Sequence, residues 1–353
     1  MIGDLPPGPD NAITDVPGVA VGHITIRRDE PEPPAGRGVA RTGVTTVLPG
    51  PPKTLFAQPA PAGAAVLNGA GELTGFLQVS EWGCIETPIY LTSTMAVGRV
   101  FDGAVAAAVA ADPRVGVDDV VIPVVAECDD SWLNDARTIQ VEAADAGRAV
   151  DDAGGGPVEE GCVGAGTGMV TFDWAGGIGT ASRHVEELDA TLGVLVLSNF
   201  GSAPQLRIDG VPVGRALQPL GQERAAPAGS CIGIVATDAP LRGDQLERIA
   251  RRIGLGLART GSVAHHGSGE IFLAFSTVRQ VRAAPEEAKT ALALVPDRKL
   301  DALFAATVEA AEEAVLNALW AGVDTSGRDG RVVPALPTAD VLDLLEQHRR
   351  IRG

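Results

Sequence analysis

The sequence predicts a layered α/β protein, mixed in the α+β sense, and three observations carry that expectation. Short apolar runs rich in β-branched residues recur along the chain. Helical stretches alternate with them, and the longer of these carry one apolar face that must be buried against a neighbouring layer. The composition is that of a folded core, with 45% hydrophobic and 21% charged residues; aromatics are only 4% against 44 glycines, so close backbone packing stands in for bulky side chains.

In chain order, residues 19–25, 43–48 and 64–67 read as strands, because apolar and β-branched residues cluster there over strand length. Residues 100–111 read as a helix on their alanine content, 120–126 as a strand, and 135–150 as a helix of mixed charge. Residues 169–172, 194–197, 232–236 and 271–275 are further strands. Between the last two, Leu246, Ile249, Ile253 and Leu257 mark one helical face, and Asp244 followed by Glu247 has capping-box spacing at its start. Leu300, Phe304, Val308, Ala311, Val315 and Leu319 make a long amphipathic helix, and residues 341–348 form a last one after Pro337. Loops are expected at 29–36, 152–156 and 222–229, the last with the composition of an exposed, cleavable connection. No repeat of fixed period is visible, and 353 residues suit one large domain or two.

A formal net charge of −17 speaks against a nucleic-acid partner, because phosphate binding needs a basic face. The one basic cluster, Arg248, Arg251 and Arg252, reads as the polar side of a helix, and His348-Arg349-Arg350 as a helix end where cations suit the dipole. No basic start followed by an apolar core opens the chain, and no run reaches the ~18 apolar residues of a membrane helix, so neither a secretory signal nor a membrane partner is expected. Cys84, Cys128, Cys162 and Cys231 are widely spaced, which indicates neither a zinc site nor a disulfide framework. A cytoplasmic chain with reduced thiols is the default.

Few motifs point to a cofactor. The glycine run GAGTG at 164–168 precedes a strand-like segment instead of opening a helix, and no GK[ST] follows, so it serves close backbone approach rather than a nucleotide. G-x-S-x-G and HExxH are absent, and neither a cofactor nor a metal is expected. His265 and His266, beside Gly267-Ser268-Gly269-Glu270, leave a histidine-based triad open.

Residues 225–240, AAPAGSCIGIVATDAP, admit a sharper reading. A loop ends at Gly229 and Ser230 opens an apolar run. This is either an ordinary turn into a strand, since Gly-Ser recurs at 201–202, 261–262 and 267–268, or a place where the chain cuts itself. A cut would free Ser230 with its own α-amine, a base of pKa about 7.7 to 8.0. Ser268 and Glu270, two residues apart, project from one face of an extended segment and could handle its proton, or simply form a turn. Asn199 ends the run VLVLSN, where its amide either donates to an oxyanion or caps the strand. Glu127 ends VVIPVVAE and either holds a substrate ammonium or stands at an exposed strand terminus.

Together with NAITDVPGVAVGHITI (11–26), RTGVTTVLP (41–49), LNGAGELTG (67–75), AECDDSWLND (126–135) and GAGTGMVTFDWAGGIGTASR (164–183), the stretches SNFG, GSCIGIVATDAPL and HHGSGEIFLAFST make the sequence resemble, over nearly its whole length, the self-processing peptidases of the S58 family. These are the L-aminopeptidase/D-amidase-esterases and β-peptidyl aminopeptidases. The resemblance implies a four-layer αββα sandwich, similar to N-terminal nucleophile hydrolases but differently connected and shared with ornithine acetyltransferases. It implies one domain over 1–353, self-cleaved into 1–229 and 230–353, and a homo-oligomer, a tetramer. Small peptides, amino-acid amides or esters with a free amino terminus are the implied substrates, hydrolysed through an acyl-enzyme without a cofactor. Position by position, Ser230 matches the nucleophile, Ser268 and Glu270 its partners, Asn199 the oxyanion donor and Glu127 an acid near the substrate amino group. Some members carry an aromatic residue two positions after that acid; here Asp129 stands there and the nearest aromatic is Trp132. Asp129 either attracts a cationic substrate end or narrows the pocket. Two other classes stay open: an acyltransferase on the same fold, which would carry threonine at the nucleophile position, and a non-catalytic homologue of the scaffold.

Overall fold

The computed structural model describes residues 2–217, 229–279 and 294–350. The first part of the chain forms β1 (Ala20–Asp29), β2 (Val39–Leu48), α1 (Pro52–Leu55), β3 (Ala60–Gly69), α2 (Phe76–Trp82), β4 (Cys84–Ile85), β5 (Ile89–Ser93), α3 (Val97–Ala111), β6 (Val124–Cys128) and α4 (Ala144–Asp152). The remainder forms β7 (Val170–Thr171), β8 (Trp174–Ala175), β9 (Gly177–Val185), β10 (Ala190–Asn199), α5 (Val213–Ala216), β11 (Ser230–Thr237), α6 (Gly243–Ala250), α7 (Ile253–Thr260), β12 (Gly269–Ser276), α8 (Leu300–Trp320), β13 (Thr325–Ser326), β14 (Val332–Val333) and α9 (Thr338–Gln347).

Two sheets dominate. One runs β1-β2-β5-β6 and the other β4-β3-β12-β11-β10-β9; pairs within them are antiparallel except β5 with β6 and β11 with β12. Strand alternation assigns each residue to one of two faces. Along β11, Ile232, Ile234 and Ala236 enter a core between the sheets, where Val47, Leu91 and Val124 of the first sheet meet Leu197, Ile271 and Phe275 of the second. Cys231 and Val235 face the other way, into a core with Leu246, Leu257, Leu303 and Val315 of α6, α7 and α8. On the far side of the first sheet, Val44, Tyr90 and Val125 pack under Val100, Ala104 and Ala146 of α3 and α4. The order helix, sheet, sheet, helix is the αββα sandwich that the resemblance implies.

Several expectations are corrected. The strand expected at 120–126 is β6, four residues later, because Pro123 cannot donate to a ladder and Val120 and Ile122 are exposed. Only the end of 135–150 is helical. Residues before α4 are held irregular by side chains: Gln140 Nε2 donates to the carbonyls of Arg37 and Asp135. The run 169–172 is half of the β7–β8 hairpin, which turns at Phe172 and Asp173 with φ of 49° and 66°. The helix marked by Leu246 to Leu257 is two, α6 and α7. The capping box lies two residues earlier than expected, since Gln245 Oε1 accepts from the Arg242 N–H at 3.1 Å while Asp244 pairs with the Arg242 guanidinium. Strands β5 and β9 were not expected; β9, GIGTASRHV, is too rich in small and polar residues to show a strand pattern. The expectation that no helix has membrane-spanning length is also corrected. Thr94–Ala111 is long and apolar enough by composition, with mean hydropathy 1.4. Its apolarity is largely alanine, and Val100, Gly103 and Ala104 form the buried face.

The loop expected at 222–229 lies outside the described residues up to Ala228. The glycine run at 164–168 does pack backbone to backbone, as expected: a Cβ on Gly168 would lie 2.1 Å from the Arg41 carbonyl oxygen. Of the basic cluster, Arg251 pairs with Glu247 on its own helix, and Arg252 stacks over Phe304 at 3.7 Å.

Candidate active site

The site follows from the register of three adjacent strands. β10 ends where β11 begins, and β12, parallel to β11, begins at the same sheet edge. Asn199 is therefore paired with Ser230, and Ser230 with Gly269, so Ser268 and Glu270 flank the residue beside Ser230. Residues far apart along the chain meet because three strand ends share one edge.

Ser230 is buried, and its Oγ accepts the Gly269 N–H at 3.2 Å. Ser268 Oγ donates to Glu270 Oε1, while Glu270 Oε2 has no hydrogen-bond partner among the described residues. Burial holds the Glu270 carboxyl above its ordinary range, which the Ser268 bond only partly offsets. A hydroxyl joined to a buried, relatively basic carboxylate is a means of moving a proton without histidine. Asn68 fixes the turn that carries this pair: its Nδ2 donates to the carbonyls of His265 at 2.8 Å and Ser268 at 2.5 Å.

Asn199 is held on both sides of its amide. Oδ1 accepts the Val170 N–H at 2.9 Å and Nδ2 donates to the Asp129 carbonyl at 2.8 Å, so one of its two N–H groups is committed and the other is available for a developing oxyanion. Gly229 presses on the same strand end. A Cβ there would lie 2.2 Å from the Asn199 carbonyl oxygen and 2.7 Å from Phe200 Cα, which only glycine avoids.

Gly229 and Ser230 line a cavity of about 650 Å³ together with Glu72, Glu127, Asp129 and Thr94. Glu127 is 3% exposed; it accepts the Glu72 N–H at 2.9 Å and the Thr94 hydroxyl. Burial, reinforced by the neighbouring Asp129 and Glu72, pushes its carboxyl upward against these two bonds. Asp129 is exposed at the wall, with its carboxylate accepting the Ser131 N–H at 2.9 Å. Trp132 is not among the lining residues; it packs against Leu133 and lies under the Arg331 guanidinium at 4.1 Å. Nor are the histidines. His265 Nε2 pairs with Gln205 Oε1 at 3.1 Å, and His266 is exposed. No group of three metal-ligating side chains occurs among the described residues.

Sequence reasoning missed Asn68, Glu72 and Thr94, as well as Arg137 and Arg328, which also line the cavity. Asn68 and Glu72 lie in the LNGAGELTG stretch, a signal without a role attached; Arg328 sits in a charged loop with no signal at all.

Asp130, directly behind the wall, accepts the Ser93 hydroxyl at 2.8 Å and Asn134 Nδ2 at 3.0 Å, yet full burial pushes its carboxyl up to about 6. A raised acid favours the folded state while protonated. The contribution of this group to stability is therefore fully present below about pH 4 and is lost as pH rises through about 6, by about 3 kcal/mol for the gap from the ordinary value of 3.8. Asp130→Asn keeps an oxygen for both bonds and is expected to flatten that slope and raise stability at pH 7. Urea melts at pH 4 to 8 check it.

An αββα sandwich with a serine opening a central strand, an asparagine amide across from it and a buried acid beside it is the architecture of an N-terminal-nucleophile-like hydrolase. Comparison with known proteins places the chain more closely. The model of peptidase family S58 matches residues 11–333. "Beta-peptidyl aminopeptidase BapA" of Sphingosinicella microcystinivorans is 40% identical over 98% of this chain and 90% of the relative. The crystal structure of the PH0078 protein from Pyrococcus horikoshii OT3 superposes with a TM-score of 0.91 at 42% identity, covering 99% of this chain and 98% of that one. The L-aminopeptidase D-Ala-esterase/amidase of Ochrobactrum anthropi, described as a variant of the Ntn hydrolase fold, superposes with a TM-score of 0.90 at 38% identity, covering 99% and 97%. The chain belongs to peptidase family S58, whose aminopeptidases are hydrolases.

Proposed function

We propose that this protein is a self-processing serine aminopeptidase and amidase, and that Ser230 is both the product of its own cleavage and the nucleophile. The observation that carries this reading is the three-strand register, with Ser230 between Asn199 and Gly269 and with Gly229 in the same cavity. In the precursor, Ser230 Oγ attacks the Gly229 carbonyl, and hydrolysis of the resulting ester separates 1–229 from 230–353 within one folded domain. In the mature enzyme, Ser230 Oγ attacks a peptide, amide or ester carbonyl next to a free amino terminus, giving an acyl-enzyme that water hydrolyses. The Ser230 α-amine, Ser268 and Glu270 move the protons, and Asn199 with nearby backbone N–H groups stabilises the oxyanion. Glu127 and Asp129 receive the substrate ammonium. Trp132 supports the wall from behind.

No cofactor takes part. Serine rather than threonine at position 230 favours hydrolysis over acyl transfer. The four free cysteines suit a reducing, cytoplasmic compartment, with neither nucleic acid nor membrane as partner. Exposed Leu77 and Trp82 on α2 offer apolar surface to a second copy in a homotetramer.

Mass spectrometry of the denatured protein tests the reading. Two fragments are expected, the second beginning at Ser230. One intact chain that nevertheless hydrolyses L-alanine p-nitroanilide would overturn it.

A further inference from the structure

This cavity carries charges of both signs. Glu72, Glu127 and Asp129 share the lining with two cations, Arg137 and Arg328, in a chain whose net charge is −17. Neither cation is used in the chemistry proposed above. Both guanidiniums are aimed by their partners: Asp135, with a side chain only 1% exposed, accepts Arg137 Nε at 2.8 Å and Nη2 at 2.5 Å, and Asp329 accepts Arg328 Nε at 3.1 Å. Glu32 adds a longer contact to Arg137 Nη2 at 3.3 Å. Arg137 Nη1 and both Nη groups of Arg328 therefore keep N–H donors without a hydrogen-bond partner among the described residues. The two cations are neighbours, because both act on Asp135 and hold its carboxyl below the ordinary range. The loop carrying Arg328 is seated by its own N–H, which donates to the Leu133 carbonyl at 2.9 Å.

Two fixed guanidiniums with free edges are a receptor for a carboxylate. Resting on the aminopeptidase reading, we propose that this site takes short peptides as zwitterions, with the ammonium on the Glu127 side and the C-terminal carboxylate on Arg137 and Arg328. The amino and carboxyl ends of one ligand then both find opposite charge within a cavity of about 650 Å³, which suits a di- or tripeptide rather than a long chain. In the reaction the scissile C–N bond breaks, the departing nitrogen takes the proton, water supplies the hydroxyl that ends the acyl part, and the bound carboxylate leaves with the amine unchanged. The favoured activity is that of a dipeptidase, with amino-acid amides and anilides as poorer substrates.

L-alanyl-L-alanine against L-alanyl-L-alaninamide isolates the carboxylate. The acid is expected to be hydrolysed with kcat/KM about tenfold higher or more, the scale of one charge-assisted clamp. Arg328→Met is expected to bring the ratio of the two close to one. Arg137→Lys, which keeps a charge for Asp135 but loses the fork, is expected to lower the ratio while leaving the fold intact. An acid-to-amide ratio of one or less in the unsubstituted enzyme, or a ratio that neither substitution changes, overturns the clamp and leaves the aminopeptidase reading standing. The reduced-bond analogue of alanyl-alanine, which cannot be hydrolysed, extends the test to a protein that turns nothing over. Tighter binding of its acid than of its carboxamide, lost in Arg328→Met, supports the clamp; equal binding overturns it.

Discussion

Ser230→Ala is expected to purify as one uncut chain of 353 residues and to lose about 10⁶-fold in turnover, the scale seen when a serine hydrolase loses its nucleophile. The substitution removes a single oxygen that accepts one hydrogen bond, from the Gly269 N–H. The strand β11 keeps its pairing with β10 and β12 and its apolar side chains in both cores, so the fold should survive. Two losses are coupled in this variant. Without Oγ there is no attack on Gly229, and without cleavage there is no free α-amine to serve as base. Ser230→Cys separates them, because a thiol can still attack and, once released, carries the same amine. Some cleavage in Ser230→Cys with none in Ser230→Ala identifies the group as a nucleophile rather than a packing element. Normal cleavage and turnover in Ser230→Ala, read by denaturing mass spectrometry and anilide hydrolysis, would refute the assignment.

Glu270→Gln carries the second largest expected effect, about 10²- to 10⁴-fold in kcat, the range of general acid–base catalysis. The carboxylate is buried, joined to Ser268 and otherwise unpartnered among the described residues, and burial raises its pKa. The sign of the pH dependence follows. In the unsubstituted enzyme kcat falls as pH drops through that raised value, at a pH above the ordinary carboxylate near 4.3, because the base takes up its proton. The introduced amide is almost isosteric and can accept from Ser268, but it cannot take a proton. The variant should therefore lack the acid limb as well as most of its rate, and self-cleavage should slow in the same proportion. Glu127→Gln separates this role from substrate binding, since loss of the ammonium partner should appear mainly in KM. Unchanged kcat and an unchanged acid limb in Glu270→Gln would remove the proton-handling role.

How much of this was legible without coordinates differs from element to element. The strands β10, β11 and β12 were visible because they are buried on both faces and read as continuous apolar runs, and α8 because its apolar stripe repeats with helical period. β9 was not, since Gly179 is there to let α8 come close, a Cβ at that position lying 1.9 Å from the Ala314 carbonyl oxygen, a requirement set by a partner far along the chain. The irregular segment before α4 was misread as helix because its side-chain hydrogen bonds to Arg37 and Asp135 outcompete helix formation, and propensity contains no information about a partner a hundred residues away.

By itself the sequence determined which groups are available: a glycine-serine junction at a strand entrance, a serine and glutamate two residues apart, and an asparagine at a strand end. It also determined the covalent neighbourhood of Ser230, and hence that cleavage there would create an amine base. What only the tertiary structure decided is which of these groups share a site. Strand register aligned Asn199, Ser230 and Gly269, and burial made Glu270 and Glu127 more basic than free carboxylates. Arg137 and Arg328, both on the cavity lining, come from two loops nearly two hundred positions apart, brought together at Asp135 and by the Arg328 N–H bond to the Leu133 carbonyl. Side-chain chemistry is written residue by residue. Distance and dielectric are properties of the packed layers, and those two quantities turn a list of polar residues into a site.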